Sequence, residues 1–149
     1  MIRFIQEKDI DDVLNLGKKL HKESPIFNVY KWNEEKARKF IIDIIYDDNQ
    51  CGILAFDDNL DLSGMILGYI DSFYFSKEIS LQEHFIYIEK EKRGTKMVFK
   101  LLKEWVEWGK SKNAIDVWLK STTGINRDKT SKLFNKLGFS EIGQTYRRR

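Results

Sequence analysis

The spacing of apolar residues divides the chain into predicted strands and helices. Five segments are predicted to be strands, and apolar and polar side chains alternate in the first and the last of them. These segments are "MIRFIQ" at the start, "CGILAF", "GMILGYIDSFYF", "ISLQEHFIYI" and "AIDVWLK". Because the turn sequence "DDNL" joins the second to the third, we predict a hairpin from about Cys51 to Phe75.

Four other segments carry apolar residues at helical spacing. The first two helices are predicted to start after the N-cap residues Asp9 and Asn33. The third is predicted over residues 96–109, and the last lies within "INRDKTSKLFNKLGF". Gly138 follows the last helix and is typical of a C′ residue.

The order of these elements predicts how the strands pair. The third helix is joined to "AIDVWLK" by a short link, which indicates a strand-helix-strand crossover and therefore a local parallel pair. The segment "FSEIGQTYR" is predicted to add a final strand or hairpin. The fold class is therefore α/β (α+β): a mixed, mostly antiparallel central sheet with one parallel crossover and about four helices. Residues 1–149 are predicted to form a single domain.

Composition excludes several classes of protein. A chain that is 42% hydrophobic and 33% charged is typical of a compact folded protein. Its single cysteine, Cys51, excludes an internal disulfide, and the two distant histidines His21 and His84 leave no zinc quartet, so no metal site is predicted. The longest apolar runs are far shorter than the roughly 20 residues that span a bilayer. We therefore expect a cytoplasmic protein without a membrane partner.

Positive charge is unevenly distributed, although the formal net charge is only +3. Basic residues cluster within residues 90–100 and again at the terminal "YRRR". Such a cluster is commonly a solvated helix edge. A nucleic-acid-binding module is the weakest hypothesis, because no recognised nucleic-acid motif accompanies these residues.

The segment "RGTKMV" at Arg93–Val98, followed by Leu101 and Leu102, carries a family resemblance. Together with the late "KLFNKLGF" and the order of the elements, it resembles the GCN5-related N-acetyltransferase (GNAT) family over nearly the whole chain. The terminal "YRRR" and the loop without its usual glycines resemble small phage-type members. The resemblance implies the acyl-CoA N-acyltransferase fold, with acetyl-CoA as co-substrate and no metal.

In the family, a loop of pattern Arg/Gln-x-x-Gly-x-Gly/Ala binds the acetyl-CoA pyrophosphate through main-chain N–H groups at a helix start. Lys96 and Val98 occupy the glycine positions here. They leave the N–H donors in place but bring side-chain bulk to the ligand. The predicted cofactor-binding residues are Ile86, Tyr87, Ile88, Arg93, Gly94, Thr95, Lys96, Met97, Val98, Phe99, Asn126 and Phe134. The alternative is an ordinary solvated, basic helix start.

The resemblance also implies a catalytic residue. Related enzymes often place a carboxylate on the strand before the loop, which makes Glu83 the predicted base, acting through water; an exposed carboxylate paired with a lysine is the alternative. Strand alternation predicts that Glu83 and His84 face opposite sides, so that only one of them points at the substrate groove. Cys51 is interpreted as a small buried hydrophobe and not as a nucleophile.

Two positions depart from the family pattern. Phe134 stands where the family frequently has a tyrosine that protonates the CoA thiolate, and Tyr146 and Tyr87 are the candidate substitutes. A second position, which carries an acid at the end of the following strand, is Lys120 here. These departures leave the proton donor to the thiolate unassigned.

Two functions remain open from the sequence. The first is an acetyl-CoA-dependent N-acetyltransferase that moves an acetyl group directly to a primary amine. The alternative is a catalytically inactive protein of the same fold that binds CoA or a protein partner. The acceptor is expected at about Leu20–Trp32 and Phe73–Leu81, and it could be a small molecule, a peptide terminus or a protein lysine. The protein is expected to be a monomer or a homodimer.

Overall fold

The computed structural model describes residues 1–149 and places five strands in one sheet with four helices on its two faces. The strands are β1 (Ile2–Phe4), β2 (Gln50–Phe56), β3 (Leu62–Asp71), β4 (Ile79–Ile88) and β5 (Ala114–Trp118). The helices are α1 (Ile10–Glu23), α2 (Glu34–Tyr46), α3 (Met97–Ser111) and α4 (Arg127–Lys136). Short 3-10 turns at Glu7–Asp9 and Lys90–Lys92 precede α1 and α3.

The sheet has the strand order β1-β2-β3-β4-β5. Its first four strands are antiparallel neighbours, and β4 and β5 are parallel. The predicted hairpin is thus formed by β2 and β3, and α3 is the predicted crossover between β4 and β5. The mixed, mostly antiparallel sheet with four helices confirms the fold class.

Local hydrogen bonds explain where two of the helices begin and end. Asn33 caps α2, because its Oδ1 accepts a hydrogen bond from the main-chain N–H of Lys36 at 2.9 Å. Gly138 adopts φ +88° directly after α4, as a C′ glycine does, and the next N–H returns to the helix through Phe139 N and Phe134 O at 3.0 Å.

Asp9 precedes α1 but does not cap it through its side chain. Its carboxylate instead accepts two hydrogen bonds of 2.7 Å from Arg3 and one of 2.8 Å from the N–H of Gln6. The predicted side-chain cap is therefore wrong, because a charged partner on β1 occupies the carboxylate.

The core lies in two clusters, one on each face of the sheet. The cluster between the sheet and helices α1 and α2 includes Val13, Leu14, Leu16, Leu20, Ile41, Ile44, Leu54, Met65, Leu67 and Tyr87. The cluster between the sheet and α3 consists of Cys51, Ile53, Ala55, Ile66, Leu81, Leu101, Leu102 and Trp105. Neighbouring residues of β2 and β3 fall into different clusters, as strand alternation requires.

A β-bulge in β4 interrupts this alternation. Leu67 pairs with Phe85 and the next residue, Gly68, pairs with Glu83, so His84 is the extra residue. Leu81 accordingly belongs to the α3 cluster, whereas Phe85 packs against the cluster of α1 and α2. The prediction that only one of Glu83 and His84 points at the groove is wrong, because both line the same cavity.

The predicted final strand is absent. Residues 139–149 form no strand, and β5 is the last strand in the sheet order. The alternation in "FSEIGQTYR" is broken by Gly143, and a short strand gains little without a continuous ladder beside it. No helix is long and apolar enough to cross a membrane.

The bulge leaves Gly68 in a crowded position that we predict cannot accept a methyl group. A Cβ atom there would lie 2.6 Å from Gln82 O and 2.6 Å from Trp105 Nε1. We expect Gly68→Ala to lower the free energy of unfolding by about 1–3 kcal/mol, as overpacking does. Urea denaturation measures this change.

The matched control is Gly143→Ala, because no atom lies within 4 Å of a Cβ built at that residue. Its free energy of unfolding should stay within about 0.5 kcal/mol of the parent. Equal stability of the two variants would contradict the packing described at the bulge.

Candidate functional site

A large cavity opens where the pairing of β4 and β5 ends. Residues Ile79–Gln82 of β4 pair with Ala114–Trp118 of β5, and the pairing does not continue beyond them. The space beyond has a volume of about 970 Å³ and is lined by the second half of β4, the segment after it, residues 120–123 and α4. Side chains of α1, α2 and the segment between them complete the wall. The cavity is large enough for a small-molecule site.

The loop before α3, of which Gly94, Thr95 and Val98 line this cavity, has open hydrogen-bond donors. The main-chain N–H groups of residues 94, 95, 96, 98 and 99 have no partner within the protein. Gly94 adopts φ +80°, which favours glycine, and it lets the chain turn into the helix. Open N–H groups at a helix start, aligned with the helix dipole, favour an anion.

Only some of the predicted loop side chains line the cavity. Arg93, Gly94, Thr95 and Val98 do, whereas Lys96, Met97 and Phe99 do not. Met97 packs under α3 against the sheet, and the side chains of Lys96 and Phe99 are exposed. The bulk of Lys96 is therefore directed away from the cavity, and Val98 alone brings side-chain bulk to a glycine position.

Arg93 is held by an acidic partner on α1. Its guanidinium donates to both oxygens of Glu23, at 2.6 and 2.8 Å, and its Nε donates to Ile88 O at 3.0 Å. The Tyr87 hydroxyl donates to the same carboxylate at 2.7 Å. The hydrogen bond from Arg93 lowers the pKa of Glu23, whereas burial and the bond to Glu23 raise the pKa of Tyr87.

The next residue, Ser24, joins α1 to the other side of the cavity. Its buried hydroxyl donates to Thr123 O at 2.5 Å and accepts from the N–H of Phe27 at 3.0 Å. Gly124 packs closely against Pro25 at φ +73°. Adjacent residues at the end of α1 thus bind to both lips of the cleft, one through Arg93 and one through Thr123.

Glu83 is a buried carboxylate inside the cavity. The residue is 2% exposed, and its Oε1 accepts a hydrogen bond from the N–H of Lys120 at 3.0 Å. Its Oε2 is buried without any partner in the protein. Burial raises the pKa of Glu83 to about 7. The alternative of an exposed carboxylate paired with a lysine ammonium is wrong, because the Lys120 ammonium donates to the main-chain oxygen of Glu83 instead.

His84 and Cys51 are in surroundings that suppress ionisation. His84 Nε2 lies 2.9 Å from Gln50 Oε1, and its ring packs between Phe40 and Tyr69. Burial lowers the pKa of His84 to about 4 and raises the pKa of Cys51 to about 12. Cys51 does not line the cavity and packs under α3, as a small buried hydrophobe.

Four aromatic positions bear on the missing proton donor. Phe134 lines the cavity and carries no hydroxyl. Tyr146 is 85% exposed and lies outside the cavity, and the Tyr87 hydroxyl is already bonded to Glu23. Tyr30 lines the cavity with a hydroxyl that has no partner in the protein. Tyr30 was not predicted from the sequence, since nothing in its local pattern distinguishes it from other loop aromatics.

A model of the acetyltransferase (GNAT) family matches residues 17–139. The chain belongs to this family. The match covers the cavity walls from α1 to the end of α4. Comparison with curated proteins gave no significant match.

Solved structures show the same GNAT fold. AAC(6')-Iy, in complex with the bisubstrate analogue CoA-S-monomethyl-acetylneamine, has a TM-score of 0.80 at 18% identity, over 100% of this chain and 97% of that one. AAC(6')-Ih from Acinetobacter baumannii has a TM-score of 0.77 at 16% identity, over 100% and 96%. The ribosomal-protein-alanine N-acetyltransferase of Brucella melitensis biovar Abortus 2308 has a TM-score of 0.73 at 15% identity, over 100% and 99%.

The GNAT fold brings most of the predicted site residues together. Those that line the cavity are Glu83, Ile86, Tyr87, Ile88, Arg93, Gly94, Thr95, Val98, Asn126 and Phe134. Asn126 precedes α4 at φ +45° and makes no side-chain cap, so its amide is free to face the cavity. Glu23 and Ser24 were missed, because their partners lie 70 and 99 residues away along the chain.

We predict that Glu23 and Arg93 are energetically coupled. Each of Glu23→Ala and Arg93→Ala leaves a partly buried charge without its partner and should lower the free energy of unfolding by about 1–3 kcal/mol. A double-mutant cycle in urea should give a coupling energy of similar size. Lys22→Ala, which removes an exposed neighbour on α1, is the control and should change stability little. Additive effects of the two substitutions would contradict the pairing.

Proposed function

We propose that this protein transfers the acetyl group of acetyl-CoA directly to a primary amine. One observation carries the proposal: a buried carboxylate with a free oxygen, Glu83, lies in the same cavity as the open N–H groups before α3. A base and an anion site in one cavity suit an amine acceptor and a phosphate-bearing donor.

The residues present fit the acetyl-CoA molecule. The open N–H groups of residues 94–96, 98 and 99 would hold the pyrophosphate, with support from the α3 dipole. Beyond Gln82, β4 no longer has β5 as its neighbour, so the main-chain groups of Ile86–Ile88 on that edge can pair with the pantetheine amides. Asn126 and Phe134 face the same space from α4.

Glu83 would prepare the acceptor. Most of an amine with pKa near 10 is protonated at neutral pH and cannot attack a thioester. Glu83 Oε2 takes a proton from the ammonium, directly or through a water, while the Lys120 N–H holds Oε1. A pKa of about 7 matches this base to neutral conditions.

The amine nitrogen then attacks the thioester carbonyl carbon, and the C–N bond replaces the C–S bond. The nitrogen then loses its second proton, which leaves the amide. This proton passes to the CoA thiolate and gives the free thiol. The phenolic hydroxyl of Tyr30 is the cavity tyrosine hydroxyl available to relay this proton. Structural neighbours with N-acetyltransferase names support the reaction class, and AAC(6')-Iy is seen in complex with an analogue that joins CoA to an acetylated amine.

The loop prediction is tested by removing one N–H group. Thr95→Pro eliminates the open N–H of residue 95 together with the hydroxyl that bonds to Lys92 O at 2.9 Å. Thr95→Ala eliminates the hydroxyl alone. We expect Thr95→Pro to weaken acetyl-CoA binding by roughly tenfold relative to Thr95→Ala, as measured by calorimetric titration. Equal dissociation constants for two folded variants would place the pyrophosphate elsewhere.

The base prediction is tested by Glu83→Gln, which keeps the size and the hydrogen bond from Lys120 but removes the base. We expect turnover of an accepted amine to fall by roughly ten- to a thousand-fold, with little change in acetyl-CoA affinity. The parent profile of kcat/KM against pH should contain an ionisation near 7, below which Glu83 keeps its proton and the rate falls. This ionisation should be missing in the variant.

Glu78→Gln, an exposed carboxylate on the segment before β4, is the matched control and should keep the parent profile. A parent-like rate for Glu83→Gln at every pH would remove Glu83 from the mechanism. Binding of acetyl-CoA without transfer to any amine would instead favour the inactive CoA-binding alternative.

A further inference from the structure

The charged side chains around the cavity are almost all basic. Glu83 is the single acidic residue in the wall. The basic residues in the wall are Lys31, Lys36, Lys92, Arg93, Lys120 and Lys129. A cavity with this lining carries a positive potential, which attracts anions and repels further cations.

Carboxylates outside the cavity neutralise only part of this charge. Lys92 is 3.1 Å from Asp57, and Arg93 is paired with Glu23. The remaining four lysines form no ion pair with any carboxylate. Three of them lie outside the loop before α3. Lys31 and Lys36 are on the α1–α2 side of the cavity, and Lys120 follows β5. The acceptor half of the cavity therefore keeps a positive charge of its own.

Lys120 is anchored beside the proposed base. Its N–H donates to Glu83 Oε1 at 3.0 Å, and its ammonium donates to Glu83 O at 3.2 Å. The Lys120 ammonium is thus held close to the Glu83 carboxylate, because both groups are bonded between the same two residues. An acceptor whose amine faces the carboxylate would bring any neighbouring group of its own within reach of this ammonium.

The walls around this junction are aromatic. Trp32, Phe40, His84 and Phe85 line the same half of the cavity, and His84 is neutral because burial lowers its pKa to about 4. The bonds from Ser24 to Thr123, and the packing of Gly124 on Pro25, join the α1–α2 segment to the segment after β5. This ring-lined space suits a small molecule with an apolar or aromatic body.

We infer, building on the proposed function, that the acceptor is a small amine of the α-amino acid type. It carries an oxyanion next to the amino group and an apolar or aromatic side chain, with its anionic group on Lys120 and its amine at Glu83. Polycationic amines are poor acceptors, because each added ammonium enters a cavity with four unpaired lysines.

Phenylalanine, phenylalaninamide and neamine are the probes, each assayed for acetyl-CoA-dependent acetylation. The amide keeps the amine and the ring but loses the anion, and neamine is a polycation. We expect kcat/KM for phenylalanine to exceed that for the amide by roughly tenfold or more, with neamine poorest. Lys120→Ala keeps the N–H that holds Glu83 and should raise KM for phenylalanine about tenfold while leaving the amide almost unchanged.

Lys39→Ala is the matched control, since Lys39 is exposed on α2 and does not line the cavity. It should leave the preference intact. Equal use of phenylalanine and its amide, a preference for neamine, or an equal loss for both substrates in Lys120→Ala would each overturn the inference.

Calorimetry with acetyl-CoA separates this inference from the proposed function. A protein that binds acetyl-CoA and acetylates only neamine refutes the α-amino acid acceptor but keeps the transferase. A protein that does not bind acetyl-CoA refutes the proposed function and the inference with it.

Discussion

The parting of β4 and β5 is the constraint on which the site depends. Parallel pairing stops at Gln82 and Trp118, and the bulge at His84 lies immediately beyond. The bulge turns the second half of β4, so that Phe85 and Tyr87 face α1 and α2 instead of α3. Without this change of face, Glu83 and His84 would lie on opposite sides of the sheet. The bulge thus lets Glu83, His84 and Phe85 line one cavity.

A divergence of strands leaves an opening that the rest of the chain has to hold in shape. The end of α1 does this through Glu23 and Ser24, which bind the loop before α3 and the segment after β5. Both residues lie at the edge of the α1–α2 segment that lines the cavity. The loop before α3 and the segment after β5 therefore share a support at the end of α1.

Local patterns predicted the elements, and long-range contacts account for what they missed. Helical spacing, the Asn33 cap and the C′ glycine Gly138 are features of neighbouring residues, so the sequence displays them directly. The bulge at His84 lies opposite Gly68, which packs against Trp105, and the periodicity within β4 does not reveal it. The predicted last strand failed for the same reason, because alternation in "FSEIGQTYR" cannot show whether an edge accepts it. The partner of Arg93 is 70 residues distant, and only the fold brings it close.

The loop before α3 offers donors that belong to the main chain. Residues 94, 95, 96, 98 and 99 differ in size, charge and polarity, yet each contributes the same N–H group. The Lys96 and Phe99 side chains lie outside the cavity, so their identity does not change its lining. Mutation can therefore change the residue types in this loop over evolutionary time while its main-chain N–H groups stay the same. Searches that require glycine at these positions would pass over such proteins, whereas a comparison of backbones would recover them.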